Sequence, residues 1–447
     1  MMELPTAPPF TLRARLLSPL ADGRLLDELD GLIEIDAEGR IARAEAWGTG
    51  AQAPSSVLDI RPMVVMPGLV DLHAHLPQLP NAGLGSGLDL LTWLDRYIFP
   101  LERAYDRSVA ERQAPAAFRA FAAAGTTTAV AYAALWDDST DAAFAAAESH
   151  GIRAVIGKVM MDRLSYDEDI DPATILETSL RQTDELASRW HGRDGGRLQY
   201  AVTPRFAVSC TADMLRESAA LAAQHGAYWQ THLSEDAAEI AEVGRLFPEA
   251  RDYLDVYDRA GALGARTILA HAIHLSPREI GRLVDSGARV AHCPASNLFL
   301  SSGMMPLAAY RAAGMIVGLA SDVAAGPEVS IFTVMRAAAV TQRVLELTGR
   351  ADGAEAGRPL DWLRLGTLEG ARALGLDGAI GSLEVGKEAD VIAVDARFTN
   401  PLPTDDPPAT ADDLASRLVF RPHPNMVRGA WVRGRSLDGP PGTIGMG

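Results

Sequence analysis

Ten histidines are spread along 447 residues, and four of them fall at or just after the ends of apolar segments. His73 and His75 form a His-Ala-His triplet, while His232 and His271 close the segments YWQTHL and TILAH. In extended backbone, residues i and i+2 point the same way, so His73 and His75 can reach one ion. Asp322 ends a further apolar segment, MIVGLASD. Imidazole nitrogens and a carboxylate oxygen are a donor set for one zinc ion; iron is an alternative, because affinity rank alone does not select the metal. The expected ligands are therefore His73, His75, His232, His271 and Asp322, with one ion per chain.

A metal site that keeps an open position acidifies a bound water, and such a site needs groups that move protons. Glu235 stands three residues after His232, in THLSE, and is the first candidate. Asp322 is the second, since two carboxyl groups with different neighbours can divide acid and base roles. The competing reading of Glu235 is a first-turn helix residue satisfying backbone donors. His274, three residues after His271, could orient the water, touch the substrate or support the ligands from behind. His292 reads as a buried, hydrogen-bonded histidine in a strand. His150, His191, His225 and His423 have no such company and read as surface or helix-end residues. Lys158 lies on the third apolar segment and Arg205 just after the fourth. A second ion bridged by a modified lysine would need that lysine at the fourth, so the pattern favours one metal.

These groups are far apart in sequence and need a scaffold that gathers strand ends. Eight apolar segments, at 64–72, 126–134, 153–161, 198–204, 228–233, 267–272, 289–294 and 315–321, read as strands. Helical stretches at 107–124, 141–149, 170–190, 211–225, 236–246, 277–286 and 330–348 separate most of them. The alternation predicts an α/β fold, a (β/α)8 barrel of the TIM type, with its site at the C-terminal ends of the strands. An open, doubly wound sheet would normally carry a glycine-rich phosphate loop, and none is found; this also disfavours a nicotinamide-dependent oxidoreductase. Short strands with tight turns occur at 12–18 and 31–47 and again at 380–396 and 426–437. They predict a small β-sandwich domain built from both chain ends. The expected division is 1–63 and 375–447 for that domain and 64–374 for the barrel. The Pro- and Asp-rich segment 401–417 reads as a surface loop or a short excursion before the last strands.

A formal net charge of -17 repels phosphate backbones, so nucleic acid is not an expected partner. The two cysteines, Cys210 and Cys293, make no CxxC pair, and a disulfide scaffold is implausible. The start, MMELPTAPPF, lacks a basic stretch followed by an apolar run, and no apolar run is long enough for a bilayer. A cytoplasmic protein without membrane contact is the expectation.

The segments PGLVDLHAHLPQ, THLSE, AHAIHL, AHCPASNLFLSSG and LASDV resemble the amidohydrolase superfamily. HLPQ with Gln78, WLDRYIFPLE at 93–102, and TPRFA with Arg205 and Phe206 narrow the likeness to its guanine deaminase group, and DYLDVYDRAGAL adds to it. The likeness runs from about residue 60 to 395. It implies one zinc on the five ligands above and conversion of guanine to xanthine and ammonia. It implies proton transfer by Glu235 and Asp322, and a purine held by Gln78, Arg205 and Phe206. It also implies a homodimer with a small-molecule purine as its partner. The sequence departs from the group's pattern around Asp322. Ala320 and Ser321 replace the usual Gly-Thr, and VAAGPEVSIF follows where a small, glycine-rich, Ser/Thr-containing stretch is usual. Pro327 and Glu328 therefore put ring specificity in question. A related deaminase acting on 8-oxoguanine, a pterin or an aminotriazine is the alternative, and a non-catalytic metal-binding protein is the reading from outside enzymes.

Overall fold

A computed structural model describes residues 2–49, 56–165, 170–351, 357–402, 408–441 and 443–444. Eight parallel strands run in chain order around a barrel: β1 (Leu69–His75), β2 (Thr126–Tyr132), β3 (Arg153–Gly157, extended by Val159–Met160), β4 (Leu198–Pro204), β5 (Tyr228–Leu233), β6 (Thr267–His271), β7 (Arg289–His292) and β8 (Ile316–Leu319). Each strand pairs with its sequence neighbour. The ring is drawn shut just past β8, where Asp322 N–H donates to His73 O at 2.8 Å and His75 N–H to Val323 O at 3.0 Å. The residues that close the barrel are thus the expected metal ligands themselves.

Local chemistry explains why the helices fall where the pattern puts them. Asp106 and Thr211 cap the starts of Arg107–Ala123 and Ala212–His225 through their side chains. Asp236 with Glu239, and Ser276 with Glu279, form capping boxes at Ala237–Leu246 and Pro277–Ser286. Gly151, Gly226 and Gly287 end their helices in the left-handed region, at φ of 90°, 62° and 70°. The barrel interior is filled by small and medium residues, among them Val70, Val130, Val155, Ala201, Ile268 and Ala291, all buried in one cluster. Ala373 and Leu374 close this cluster.

Outside the barrel, seven described strands form one sheet in the order Arg435–Ser436, Val427–Val432, Val391–Val394, Leu58–Pro67, Phe10–Pro19, Leu25–Ile35, Ile41–Ala46, and Met2–Glu3 pairs antiparallel with Thr443–Ile444 in a second, two-stranded sheet. Leu58–Pro67 and Val391–Val394 pair antiparallel, so the two chain ends meet in mid-sheet. Arg153 of β3 ties this sheet to the barrel through Asp390 and Glu388, at 2.8 and 2.5 Å.

Two expectations change. The segment 64–72 is two strands rather than one: its first part completes Leu58–Pro67 of the outer sheet, and the barrel strand begins at Leu69. A continuous apolar run hides such a change of sheet. The stretch 401–417 is not only a loop. Thr410 caps a helix, Ala411–Phe420, whose Leu414, Ala415, Leu418 and Val419 are buried; residues 403–407 lie outside the described residues. Pro408 precedes the cap, Asp412 and Asp413 stand in the first helical turn, and the i, i+1, i+4, i+5 apolar spacing carries the helix.

Candidate metal centre and active site

The triplet on β1 does what its spacing requires. His73 Nε2 and His75 Nε2 stand 3.1 Å apart. Asp322 Oδ1 is 3.2 Å from the first and 3.3 Å from the second. Donor atoms placed tetrahedrally at about 2.0–2.1 Å from a zinc ion stand about 3.3–3.4 Å from one another. His232 joins these three, and the ligand atoms of all four lie within 4.8 Å of each other. The cluster is therefore a donor set of three histidines and one aspartate that fits one zinc or iron ion. His271 stands at its edge, with Nε2 3.8 Å from Asp322 Oδ2. It falls in a second donor group with Cys293 and Asp322.

The ring tautomers suit metal binding. His232 Nδ1 lies 2.6 Å from Arg205 O, a carbonyl that can only accept, so Nδ1 carries the hydrogen and Nε2 keeps its lone pair. His271 Nδ1 faces Asn297 Oδ1 at 2.9 Å in the same manner. His271 Nε2 is buried and without a hydrogen-bond partner. A buried polar atom left unpaired costs about 1–3 kcal/mol, which an ion at this point removes. Burial also lowers His73, His75 and His232, taking His75 down to about 4.

The backbone is bent at the strand ends to present these groups. Ser234, His271, Ala272 and Asp322 all have positive φ, at 47°, 68°, 51° and 47°. Side chains other than glycine rarely adopt this region, and such strain gathers at functional sites. Behind Asp322, the adjacent Ser321 donates from N–H to Asp71 Oδ1 at 3.0 Å and from Oγ to Asp71 Oδ2 at 2.5 Å. Serine at 321 thus anchors the segment despite departing from the group's usual residue. Ser296 Oγ donates to Asp322 Oδ2 at 2.6 Å.

Glu235 reaches the centre from the loop after β5, with Oε2 3.4 Å from His271 Nε2. Ser302 Oγ donates to its Oε1 at 3.3 Å. Burial, then the nearby charges of Asp322 and Glu239, push the Glu235 carboxyl well above the usual range. Burial would also raise Asp322, but hydrogen bonds from His73 and His75 hold it well below. Two carboxyls driven in opposite directions are suited to opposite proton-transfer roles.

One cavity collects these groups. His75, His232, His271, Glu235 and Asp322 line it together with Gln78, Arg205, Phe206, Trp93 and Leu300. His274 is not among its lining residues. Its Nε2 lies against Ser302 O at 2.8 Å, and it faces a different pocket beside Tyr253 and Glu279. His274 meets the site through Ser302 and through its own N–H, which donates to Ser234 O at 3.3 Å, next to Glu235. Pro327 and Glu328 are exposed and line a separate recess of about 630 Å³, whereas Ala325 faces the cavity. Lys158 is buried with Nζ 3.0 Å from Ser179 Oγ and does not line the cavity. His292 is buried as expected, but neither ring nitrogen has a hydrogen-bond partner. Both cysteines are buried and unpaired with each other.

Sequence reasoning missed the residues that hold the site from behind. Glu102, fully buried, accepts from Gln78 Nε2 at 2.7 Å and from Arg205 Nη1. Ser296, Asn297 and Ser302 are the others. All four lie inside segments that carry the family likeness, WLDRYIFPLE and AHCPASNLFLSSG, but nothing in those segments marks the individual side chain.

Comparison with known proteins agrees with this geometry. The model of the amidohydrolase family matches residues 64–437. The "probable guanine deaminase" of Deinococcus radiodurans is 38% identical over 383 residues, 84% of this chain and 85% of that protein. Among solved structures, E. coli guanine deaminase superposes with a TM-score of 0.87 at 32% identity, covering 96% of this chain and 99% of that one. Guanine deaminase from C. acetobutylicum with bound guanine gives 0.86 at 28% identity over 96% and 99%. The match across most of the chain, on a barrel that delivers the histidine–aspartate cluster, shows that this chain belongs to the amidohydrolase family.

Proposed function

We propose that this chain hydrolyses guanine to xanthine and ammonia. The observation that carries the reading is the meeting, in one cavity, of a donor set of three histidines and one aspartate, the buried Glu235 carboxyl 3.4 Å from His271 Nε2, and the Gln78–Arg205 pair, in a chain whose relatives across most of its length are guanine deaminases. His73, His75, His232, His271 and Asp322 would hold the ion, and an ion so held makes water acidic enough to react near neutral pH.

The protein's part is to orient the ring and move protons. One water adds to C2, the bond from C2 to the exocyclic amine breaks, and the carbonyl of xanthine takes its place. The water gives up two protons. Asp322 accepts the first and gives it to the departing amine, so that ammonia leaves neutral. Glu235 gives its own proton to ring N3, which xanthine keeps as N–H, and is restored by the second proton of the water. Arg205 donates to a ring carbonyl, Gln78 contacts the neighbouring edge, and Phe206 covers a face. His274 acts at one remove, by fixing the Ser302 backbone that steadies Glu235.

Ammonia release from zinc-replete protein, measured across guanine, 8-oxoguanine, adenine, cytosine, pterins and aminotriazines, tests the substrate. Guanine should have the highest kcat/KM and adenine very little turnover. A higher kcat/KM for any other ring overturns the assignment.

No helix among the described residues is long and apolar enough to cross a membrane. With the acidic charge, this supports a cytoplasmic enzyme that binds a small purine rather than nucleic acid. We further propose a homodimer, in keeping with the prevalence of two-fold assemblies. Light scattering should give twice the 47.6 kDa chain mass; a monomer mass across a wide concentration range overturns the proposal.

A further inference from the structure

Glu102 sits where the cavity's two polar recognition groups converge, yet it does not line the cavity itself. It is the fourth residue of the helix Phe99–Arg103 and is 0% exposed. Gln78 Nε2 donates to Oε1, and Arg205 Nη1 donates to Oε2, so one carboxyl group spans both side chains. Gln78 and Arg205 are themselves only 1% and 2% exposed. Their orientation is set by what lies behind them.

The chemistry of the three groups fixes that orientation. A guanidinium is always a cation, and beside it Glu102 is a carboxylate, which can only accept hydrogen bonds. An amide has a donating end and an accepting end of nearly the same shape. Since Glu102 accepts, the Gln78 nitrogen must face it, and the carbonyl Oε1 is the end offered to a bound ring. Arg205 can only donate. The wall therefore presents an acceptor beside a cationic donor. Its complement is a ring N–H beside a ring carbonyl, the edge of a cyclic lactam.

We propose that Glu102 is a specificity-determining positioning residue, which makes this wall select rings bearing an N–H next to a carbonyl. The inference rests on the guanine reading, because guanine carries such an edge at N1 and O6. It adds the reason why Gln78 does not turn over to accept the opposite pattern. A ring with an unprotonated nitrogen at that place meets the Gln78 carbonyl lone pairs. If Glu102 only stabilised the fold around Arg205, its replacement would weaken all rings alike and leave the preference unchanged.

The test is equilibrium binding to the zinc-loaded full chain of two ligands that have no amine to lose. Hypoxanthine carries the N1–H and O6 edge; purine is the same bicycle with a bare N1 and no carbonyl. Wild type should prefer hypoxanthine by about a hundredfold, the worth of one ordinary hydrogen bond and one from a charged group. In Glu102→Gln, the new amide can donate to Gln78, Gln78 can turn, and the preference should fall at least about tenfold with zinc content unchanged. Gln78→Met keeps the Glu102–Arg205 pair and serves if Glu102→Gln does not fold; it should lose the same preference. An absent preference in wild type, or a wild-type preference in the folded variants, overturns the proposal. Guanine turnover is scored separately. Turnover with an unchanged preference defeats the role of Glu102 alone. A lost preference in a protein that leaves guanine intact defeats the guanine reading alone.

Discussion

Glu235→Gln is expected to keep the fold and the bound metal while lowering kcat by about 100-fold to 10,000-fold, the usual worth of a positioned acid-base group. Glutamine has the same size, and its amide can still meet Ser302 Oγ, which donates to Oε1 in the parent chain. What it loses is the ability to take up a proton and give it back. The parent carboxyl is poised for that cycle because it is buried beside Asp322 and Glu239, both of which disfavour its ionisation. It stands 3.4 Å from His271 Nε2, within the cavity and not on the surface of the helix that follows. The alternative sequence reading, a first-turn residue satisfying backbone donors, is met elsewhere: Glu239 accepts the N–H groups of Glu235 and Asp236, at 2.9 and 3.2 Å. Steady-state kinetics with metal analysis on the same sample decides the matter. A fully metallated variant that turns over near the parent rate removes Glu235 from the proton path.

Replacing His73 or His232 by alanine should take the metal content from about one ion per chain to near zero, and activity with it. The two residues come from strands on different sides of the barrel, β1 and β5, yet their donor atoms belong to one cluster. His73 Nε2 lies at the closest spacings of that cluster, 3.1 Å from His75 and 3.2 Å from Asp322. His232 is oriented by the Arg205 carbonyl, so its loss removes a ligand whose tautomer is already fixed. Elemental analysis of the purified variants is the measurement. Two ions per active chain would reject a mononuclear site, and unchanged content in both variants would reject the ligand assignment.

Composition and local pattern determined a large part of this protein. The eight-strand alternation, most helix bounds and the His-Ala-His triplet follow from interactions within a few residues. Side chains alternate along a strand, and Asp236, Ser276 and Gly287 cap helices whatever lies around them. For the same reason the sequence marks His73, His75, His232 and Asp322, which meet in one cluster. A barrel must bring its strand ends to one rim, so knowing the strand suffices to know the destination.

Where a side chain turns after its strand ends is a different matter. His274 follows His271 by three residues, yet its ring lies against Ser302 O and outside the cavity lining. Pro327 and Glu328 follow Asp322 closely and still fall outside the cavity. Leu58–Pro67 leaves its apolar run in a different sheet from the strand that continues it. Above all, the partner of Arg205 is Glu102, 103 residues away. Hydrogen bonds between residues so distant in sequence depend on how a helix packs across the mouth of the barrel, and no local spacing encodes them. Tertiary structure alone decided that Gln78 and Arg205 share one carboxylate, and hence which end of the Gln78 amide faces a bound ring.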